Sequence, residues 1–222
     1  PAYEKLKKRF IEEKLFEPTI LYGYWPCRSD DNTLLIFDES EGYNSPSEIN
    51  KEPLDMAIGR AKEQFTFPRQ SKEPHRALSD FFHRDRHDVV AFTCVSAGAK
   101  LSDAEREIYD RGDYTEYYQF HGLGVELAEA LAEIAHKQIR LDLSISEGEG
   151  NSLGDVKMNL YQGSRYSFGY AACPNLELNR PLFNLLRPEE FGIELSETFQ
   201  IHPEQSTSAL VVYHPNATYY NV

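Results

Sequence analysis

One stretch of the chain, residues 161–175, has the residue types of a ligand-binding loop. It contains two glycines, one proline and four aromatic residues, and Arg165 carries its only charge. Glycine lets a backbone approach a ligand closely, aromatic faces supply apolar contact, and arginine offers a planar fork to a carboxylate. This composition suits neither a helix nor a regular strand. It predicts either a loop that binds a carboxylate-bearing ligand or a packed structural loop with a surface arginine.

Two residue pairs at helical spacing, His83 with His87 and Glu133 with His136, could in principle ligate a metal ion. The first pair has no third ligand near it in the sequence. The second lies on the side of a long helix that reads as polar. We therefore interpret all four as surface residues and predict no metal site.

Common catalytic and nucleotide-binding motifs are absent from the sequence. Gly122 and Gly124 match the first two glycines of a dinucleotide-binding fingerprint, but no strand precedes them and the third position is not glycine. We expect glycine here to admit close helix packing. Because no P-loop, nucleophile elbow or zinc-protease motif is present, we predict no catalytic side chain.

The elements that would position these residues follow one another irregularly. Helical periodicity predicts helices over residues 2–15, 114–140, 155–160 and 182–186. β-rich runs between turn residues predict strands over residues 19–25, 33–37, 65–67, 88–95, 194–201 and 208–213. Residues 39–54 read as a surface loop. Because regular βαβ alternation is missing, we predict an α+β fold: an antiparallel (mixed) twisted sheet with long helices packed on it, in a single domain over residues 1–222.

The long helix at 114–140 should turn one apolar stripe toward the core. Helical spacing predicts that this stripe consists of Leu123, Leu127, Leu131, Ile134 and Ala135. The polar residues of the helix then lie beside or opposite the stripe; they are Glu126, Glu129, Glu133, His136 and Lys137.

Composition is that of an ordinary globular protein. The chain has 222 residues, 41% of them hydrophobic and 27% charged. It contains no apolar run near the ~20 residues that cross a bilayer, and its net charge of −13 argues against general nucleic-acid binding.

The three cysteines are far apart, which favours a reducing cytoplasm over a disulfide framework. Since the chain lacks an initiator methionine, we expect it to begin inside a longer polypeptide.

Positive charge is concentrated between Arg60 and His87. Seven lysines and arginines face four acidic residues there, although the chain as a whole is strongly acidic. The stretch is either a solvated, charge-mixed surface or a docking face for an acidic partner.

Two motifs resemble those of a known family. Arg165, Gly169 and Tyr170, followed by Ala-Cys-Pro at 172–174, are similar to the R-x-x-x-G-Y-P-A-C-P signature of the activation domain of cobalamin-dependent methionine synthases. The segment His-Pro-Asn-Ala-Thr-Tyr-Tyr at 214–220 resembles that family's closing H-P-x-x-x-Y-Y/F motif. Further matching segments occur in the family's order, at 65–70, 78–82 and 122–133.

The resemblance implies that the chain binds S-adenosylmethionine (AdoMet). Arg165 would hold the AdoMet carboxylate, and Gly169 and Tyr170 would complete the loop, with Tyr170 approaching the cobalamin. Tyr219 and Tyr220 would flank the ligand.

Two departures from the family pattern stand out. The family's AdoMet-binding aspartate lies in an I-D-W stretch before the first helix, and nothing in this sequence matches it. Asp30, Asp31 and Asp80 have a different context and are not assigned that role. Ala171 replaces the usual proline after Gly-Tyr, which frees one backbone angle.

The function implied by the resemblance is reductive methylation of cob(II)alamin to methylcobalamin, as part of methionine synthase, a methyltransferase acting on homocysteine. Another module of the same enzyme would hold most of the cobalamin, and a flavodoxin-like donor would supply the electron. The sulfonium of AdoMet is already activated, so the domain need only position it. No nucleic acid or membrane is expected as a partner.

Three alternatives remain open. The chain could be a stand-alone reactivation protein that acts on cobalamin in trans, or a non-catalytic interaction domain without a ligand. An independent methyltransferase is less well supported, since no glycine-rich loop follows a first parallel strand.

Overall fold

The structure of the protein, a computed structural model, describes residues 2–37, 61–147, 149 and 161–222. Both the loop predicted at 39–54 and the short helix predicted at 155–160 lie outside the described residues. The described ranges contain no helix that is long and apolar enough to span a bilayer.

A six-stranded sheet is the centre of the fold. Its strands are β1 (Thr19–Asp30), β2 (Thr33–Ile36), β3 (Glu63–Thr66), β4 (Asp88–Ser96), β5 (Ser164–Ser167) and β8 (Ser206–Val212). They lie in the order β3-β2-β1-β4-β8-β5, and every neighbouring pair is antiparallel. Two short strands, β6 (Glu194–Leu195) and β7 (Ile201–His202), form a separate hairpin.

Four α-helices occur within the described residues: α1 (Ala2–Glu12), α2 (Ala99–Asp110), α3 (Tyr114–Asp142) and α4 (Asn179–Leu186). α3 begins where the side chain of Asp113 accepts a hydrogen bond from the amide of Glu116, which satisfies one free amide of the first turn. α2 was not predicted. Its buried residues Leu101, Ala104 and Ile108 have helical spacing, but the polar residues between them mask the pattern.

The sheet is covered on both faces. All nine residues of β4 are buried, as expected for a central strand between two layers. Val90, Phe92 and Cys94 pack into the larger core with α4, whereas the alternate residues Ala91 and Val95 face α3. The predicted α+β fold, with an antiparallel sheet and helices packed on it, is confirmed.

Two strand predictions were wrong. Residues 194–201 form two short strands and a turn, because the Ser196 hydroxyl accepts hydrogen bonds from the amides of Thr198 and Gln200 and so competes with strand pairing. Residues 164–167, predicted to be irregular, form the edge strand β5 through pairing with β8. A local hydrogen-bonded turn decided the first outcome, and pairing with a strand distant in sequence decided the second.

The apolar stripe of α3 was also mispredicted in part. Leu131 and Ala135 are buried as expected, but Ile134 is 58% exposed. Small residues continue the buried stripe, among them Gly124, Ala128 and Ala132. They let the helix approach its neighbours closely, and they are weaker signals in a hydrophobicity pattern than the larger leucine and isoleucine side chains.

Candidate ligand-binding groove

A groove of about 590 Å³ runs along β5, between α3 and the C-terminal segment. Glu129 and Glu133 line it from α3, Arg165 from β5, and Tyr170 and Tyr219 from the two motif segments. The two motifs noted in the sequence therefore lie at one site, although about fifty residues separate them.

Hydrogen bonds to backbone carbonyls attach the C-terminal segment to the β5 region. Ser164 Oγ donates to the carbonyl of Ala217 over 2.8 Å, and the Tyr166 hydroxyl donates to the carbonyl of Thr218 over 2.9 Å. The ring of Tyr219 stacks on that of Tyr166, with centroids 6.0 Å apart. These contacts keep Tyr219 at the groove.

Arg165 is placed by strand alternation. Its neighbour Tyr166 points into the core and is fully buried, so Arg165 points to the opposite face, toward α3. There its guanidinium forms ion pairs with Glu133, through Nη1, and with Glu129, through Nη2 at 3.0 Å. Burial by itself lowers the pKa of Arg165, but the hydrogen bonds and charges of the two glutamates raise it above its usual value. The groove thus contains a fixed cation between two carboxylates.

A second layer of charge lies behind Arg165. Arg140 is buried, donates two hydrogen bonds to Glu149, at 2.7 and 3.1 Å, and lies 3.8 Å from the ring centroid of Tyr161. Its Nη2 is also 3.7 Å from Glu133 Oε1. Glu133 therefore lies between two arginines, which keeps it in position to hold Arg165.

The interpretation of His136 as a surface residue was wrong. The ring is 1% exposed and packs edge-on against Tyr161. Among the described residues, neither ring nitrogen has a hydrogen-bond partner. Burial, and then the positive charges of Arg140 and Arg165, lower the pKa of His136 to about 2, so the imidazole is neutral at physiological pH. His87 is buried as well and stacks on Phe37.

The five residues assigned to AdoMet by resemblance occupy different positions. Arg165, Tyr170 and Tyr219 line the groove, and Tyr170 and Tyr219 are 60% and 53% exposed. Gly169 lies in the turn below Tyr170. Tyr220 packs against the larger core, outside the set of groove-lining residues.

Gly169 forms the turn that presents Tyr170. Its φ of +90° is a conformation that other residues rarely adopt, and an added Cβ would lie 2.8 Å from Leu176. The Gly169 amide donates to the carbonyl of Cys173, whose amide donates back to the carbonyl of Tyr170. The role of this glycine in the structure is to shape the turn.

Sequence reasoning missed Glu129 and Glu133 as groove residues. Like charges four residues apart on a helix repel each other, and a cation between them offsets this repulsion. Arg165 is that cation, and only the packing of β5 on α3 identifies it.

The basic stretch is partly neutralised by acidic residues within it and from the β1–β2 turn. Arg69 forms ion pairs with Asp80 at 2.7 Å and with Asp31 at 2.9 Å. Arg84 lies 3.4 Å from Asp80 and is largely exposed, and Arg86 contacts the ring of His83. Burial by itself raises the pKa of Asp80, but the contacts with Arg69, the backbone amide of Ala77 and the charge of Arg84 together lower it overall.

Comparison with known proteins gives a consistent result. The family model described as "Vitamin B12 dependent methionine synthase, activation domain" matches residues 2–222. Methionine synthase of Mycobacterium leprae is 37% identical over 217 residues, which cover 91% of this chain and 17% of that protein. Methionine synthase of Mycobacterium tuberculosis is 34% identical over 221 residues, which cover 94% and 17%. The chain thus spans 17% of the length of these relatives.

The fold is similar to that in the crystal structure of the MetH reactivation domain bound to AdoHcy. The TM-score is 0.82 at 22% sequence identity, and the match covers 99% of this chain and 66% of that one. At this identity the likeness supports the fold.

Proposed function

The chain belongs to the vitamin B12-dependent methionine synthase activation domain family, and we propose that it binds AdoMet in the β5 groove and positions it for reductive methylation of cob(II)alamin. The observation that carries this proposal is the meeting of Arg165 and Tyr219, from the family's two motifs, at one groove. The volume of about 590 Å³ is within the range of small-molecule sites.

Opposite charges in the groove suit the amino-acid end of AdoMet, which is a zwitterion. Arg165 would present its fork to the carboxylate, and Glu129, which is largely exposed at the groove, would accept from the ammonium group. Glu129 would then serve the purpose of the family's unmatched aspartate. Glu133 would stay paired with Arg165 and hold its orientation.

The tyrosines of the groove would contact the rest of the ligand. Tyr170 and Tyr219 both line the groove and are exposed, and Tyr170 would approach the cobalamin. AdoMet supplies an activated methyl group, so the protein's contribution is binding and orientation, with no side chain needed as nucleophile or base.

The partners follow from this role. We infer that a cobalamin-binding module of the same methionine synthase docks over the groove and that a flavodoxin-like protein donates the electron. Methyl transfer to homocysteine belongs to the complete enzyme. A reducing cytoplasm suits the three cysteines, which are all free and buried.

Isothermal titration calorimetry with AdoMet and with AdoHcy tests the binding step. We expect saturable binding of both at one site per chain. Adding a cobalamin-binding module and a reduced flavodoxin should then convert cob(II)alamin to methylcobalamin, followed by its absorption spectrum. A folded chain that binds the cobalamin module but neither AdoMet nor AdoHcy would instead be a non-catalytic interaction domain.

A further inference from the structure

A second cluster of ionisable side chains lies near the N-terminal half of α3, away from the β5 groove. Glu105 of α2, His121 of α3 and Glu204, just before β8, each contribute one potential ligand atom to this cluster. These three atoms lie within 4.8 Å of one another, and no other such cluster was found within the described ranges. Glu105 and Glu204 line a cleft of about 540 Å³.

The charges of this cluster are unbalanced. Glu105 is 2% exposed and lies on the buried side of α2 with Leu101, Ala104 and Ile108. Its Oε1 is 2.6 Å from Nδ1 of His121, the one basic group that contacts it among the described residues. A single imidazole faces two carboxylates, the buried one of Glu105 and the exposed one of Glu204, so negative charge predominates in the cluster and favours a cation there.

A chain of hydrogen bonds orients the carboxylate of Glu105 and reaches the backbone of Glu204. Gln205 Nε2 donates to the second oxygen of Glu105, and the Ser102 hydroxyl donates to Gln205 Oε1 over 2.6 Å. Ser102 Oγ in turn accepts from the backbone amide of Glu204 over 3.1 Å. The chain therefore links one carboxylate to the backbone of the other. Outer hydrogen bonds of this kind orient the ligands of metal sites.

The imidazole is also oriented. Its ring stacks on Tyr117 with centroids 5.8 Å apart, which directs Nδ1 toward Glu105. The rim of the cleft carries Arg106, Asp103, Glu194 and His202. The acidic members of this rim add to the field that attracts a cation, and Arg106 opposes it.

We propose that Glu105, His121 and Glu204 bind a divalent first-row metal ion, with Zn²⁺ the best match. One imidazole nitrogen and two carboxylate oxygens are ligands that Zn²⁺ accepts, and three protein ligands leave a position open to water from the cleft. Donors bound at ~2.0–2.2 Å must lie farther apart than the present His121–Glu105 contact, so binding replaces that hydrogen bond with two metal bonds. The ion would connect α2, α3 and the segment that leads into β8.

Titration of the untagged, chelator-treated chain with Zn²⁺ tests this proposal. Calorimetry should give one saturable site, and the thermal midpoint should rise with Zn²⁺ concentration because the ion binds the folded state. Co²⁺ should occupy the same site and give a visible absorption band. Mg²⁺ at the same concentration should have neither effect, because it prefers an all-oxygen, octahedral set.

Three variants locate the site. Glu204→Gln removes a carboxylate at an exposed position, and His121→Phe removes Nδ1 while keeping a ring to pack on Tyr117. Each should weaken Zn²⁺ binding by ~10-fold or more. Glu194→Gln, in the same cleft but outside the cluster, is the matched control and should bind as the wild type does.

Three results of these titrations would overturn the proposal. Absence of a saturable Zn²⁺ site in the wild type would make the cluster a histidine–carboxylate ion pair and overturn the proposal. Unchanged affinity in both Glu204→Gln and His121→Phe, or an equal loss in Glu194→Gln, would also overturn it. None of these measurements depends on AdoMet.

Discussion

Arg165 is the residue on which the proposed binding mode most depends. Arg165→Ala should weaken AdoMet binding by ~1.5–3 kcal/mol, or about ten- to a hundredfold, as for loss of a charge-assisted hydrogen bond. Arg165→Lys should recover part of this loss, because the ammonium keeps the charge but loses the planar fork. Calorimetry on all three proteins measures the difference.

The ion pairs of Arg165 with Glu129 and Glu133 mean that Arg165→Ala also lowers the free energy of unfolding. Binding must therefore be measured well below the melting temperature of each variant. Arg187→Ala, at an exposed arginine outside the groove, is the matched control and should leave AdoMet affinity unchanged. Equal affinity of wild type and folded Arg165→Ala would contradict the assigned clamp.

His136 should make the protein sensitive to acid. Its folded-state pKa of about 2 lies below the unfolded value of ~6.5. The unfolded chain therefore takes up a proton below pH 6.5 that the folded chain refuses. The contribution of His136 to the free energy of unfolding is therefore complete above pH 6.5. It is lost as the pH falls toward 2, by up to ~1.4 kcal/mol per pH unit.

His136→Phe tests this contribution. When the pH is lowered from 7 to 5, the free energy of unfolding of the wild type should fall by about 2 kcal/mol more than that of the variant. Urea denaturation at both pH values measures this difference. The variant should be at least as stable as wild type at pH 7, because neither nitrogen of the native ring makes a hydrogen bond to any residue that the structure describes. Identical losses on acidification in both proteins would show that His136 does not titrate on unfolding.

At the scale of elements, the two glycines of α3 have different roles. An added Cβ at Gly122 meets nothing within 4 Å, whereas at Gly124 it lies 2.7 Å from the side chain of Gln205 and 3.1 Å from Leu101. Gly122→Ala should raise the free energy of unfolding by ~0.5–1 kcal/mol through helix propensity. Gly124→Ala should be less stable than Gly122→Ala by ~1–3 kcal/mol, because the packing cannot absorb the methyl group without a shift.

Chemical denaturation of the two alanine variants measures this difference, and each serves as the control for the other. Equal stabilisation by both would mean that the contact of α3 with α2 and Gln205 is looser than the structure indicates. The expectation of close helix packing at these glycines is confirmed for Gly124 and was wrong for Gly122.

At the scale of the whole molecule, the basic stretch is a candidate docking face for the flavodoxin-like electron donor proposed above. Arg84 and Arg86 lie on its exposed side. Changing both to glutamate should slow cobalamin reactivation by a flavodoxin at low salt and leave AdoMet affinity unchanged. The wild-type rate should also fall steeply as salt rises, since exposed charges are screened over ~10 Å at 0.1 M ionic strength.

Lys7 and Lys14 of the α1 region provide a control with the same change in net charge. Both line a different surface depression, beside Phe10 and Leu123. If their double change to glutamate slows reactivation as much as the arginine pair does, the effect reflects net charge and not a docking face. Stopped-flow measurement of methylcobalamin formation distinguishes the two cases.

The sequence by itself was sufficient for features that depend on local pattern. Alternating and continuous apolar runs predicted β1, β2, β4 and β8, and helical spacing predicted α1, α3 and α4. The two motifs predicted the family. Periodicity and motif are local signals, because the residues that produce them are close together in the chain.

Only the tertiary structure decided which distant residues face each other. β5 exists through its pairing with β8, and that pairing turns Arg165 toward Glu129 and Glu133. His136 is buried by the same packing. Glu105, His121 and Glu204 are each unremarkable in the sequence and form a cluster only because α2, α3 and the start of β8 converge. Charge balance and burial at a site are sums over such long-range contacts, and a local pattern does not contain them.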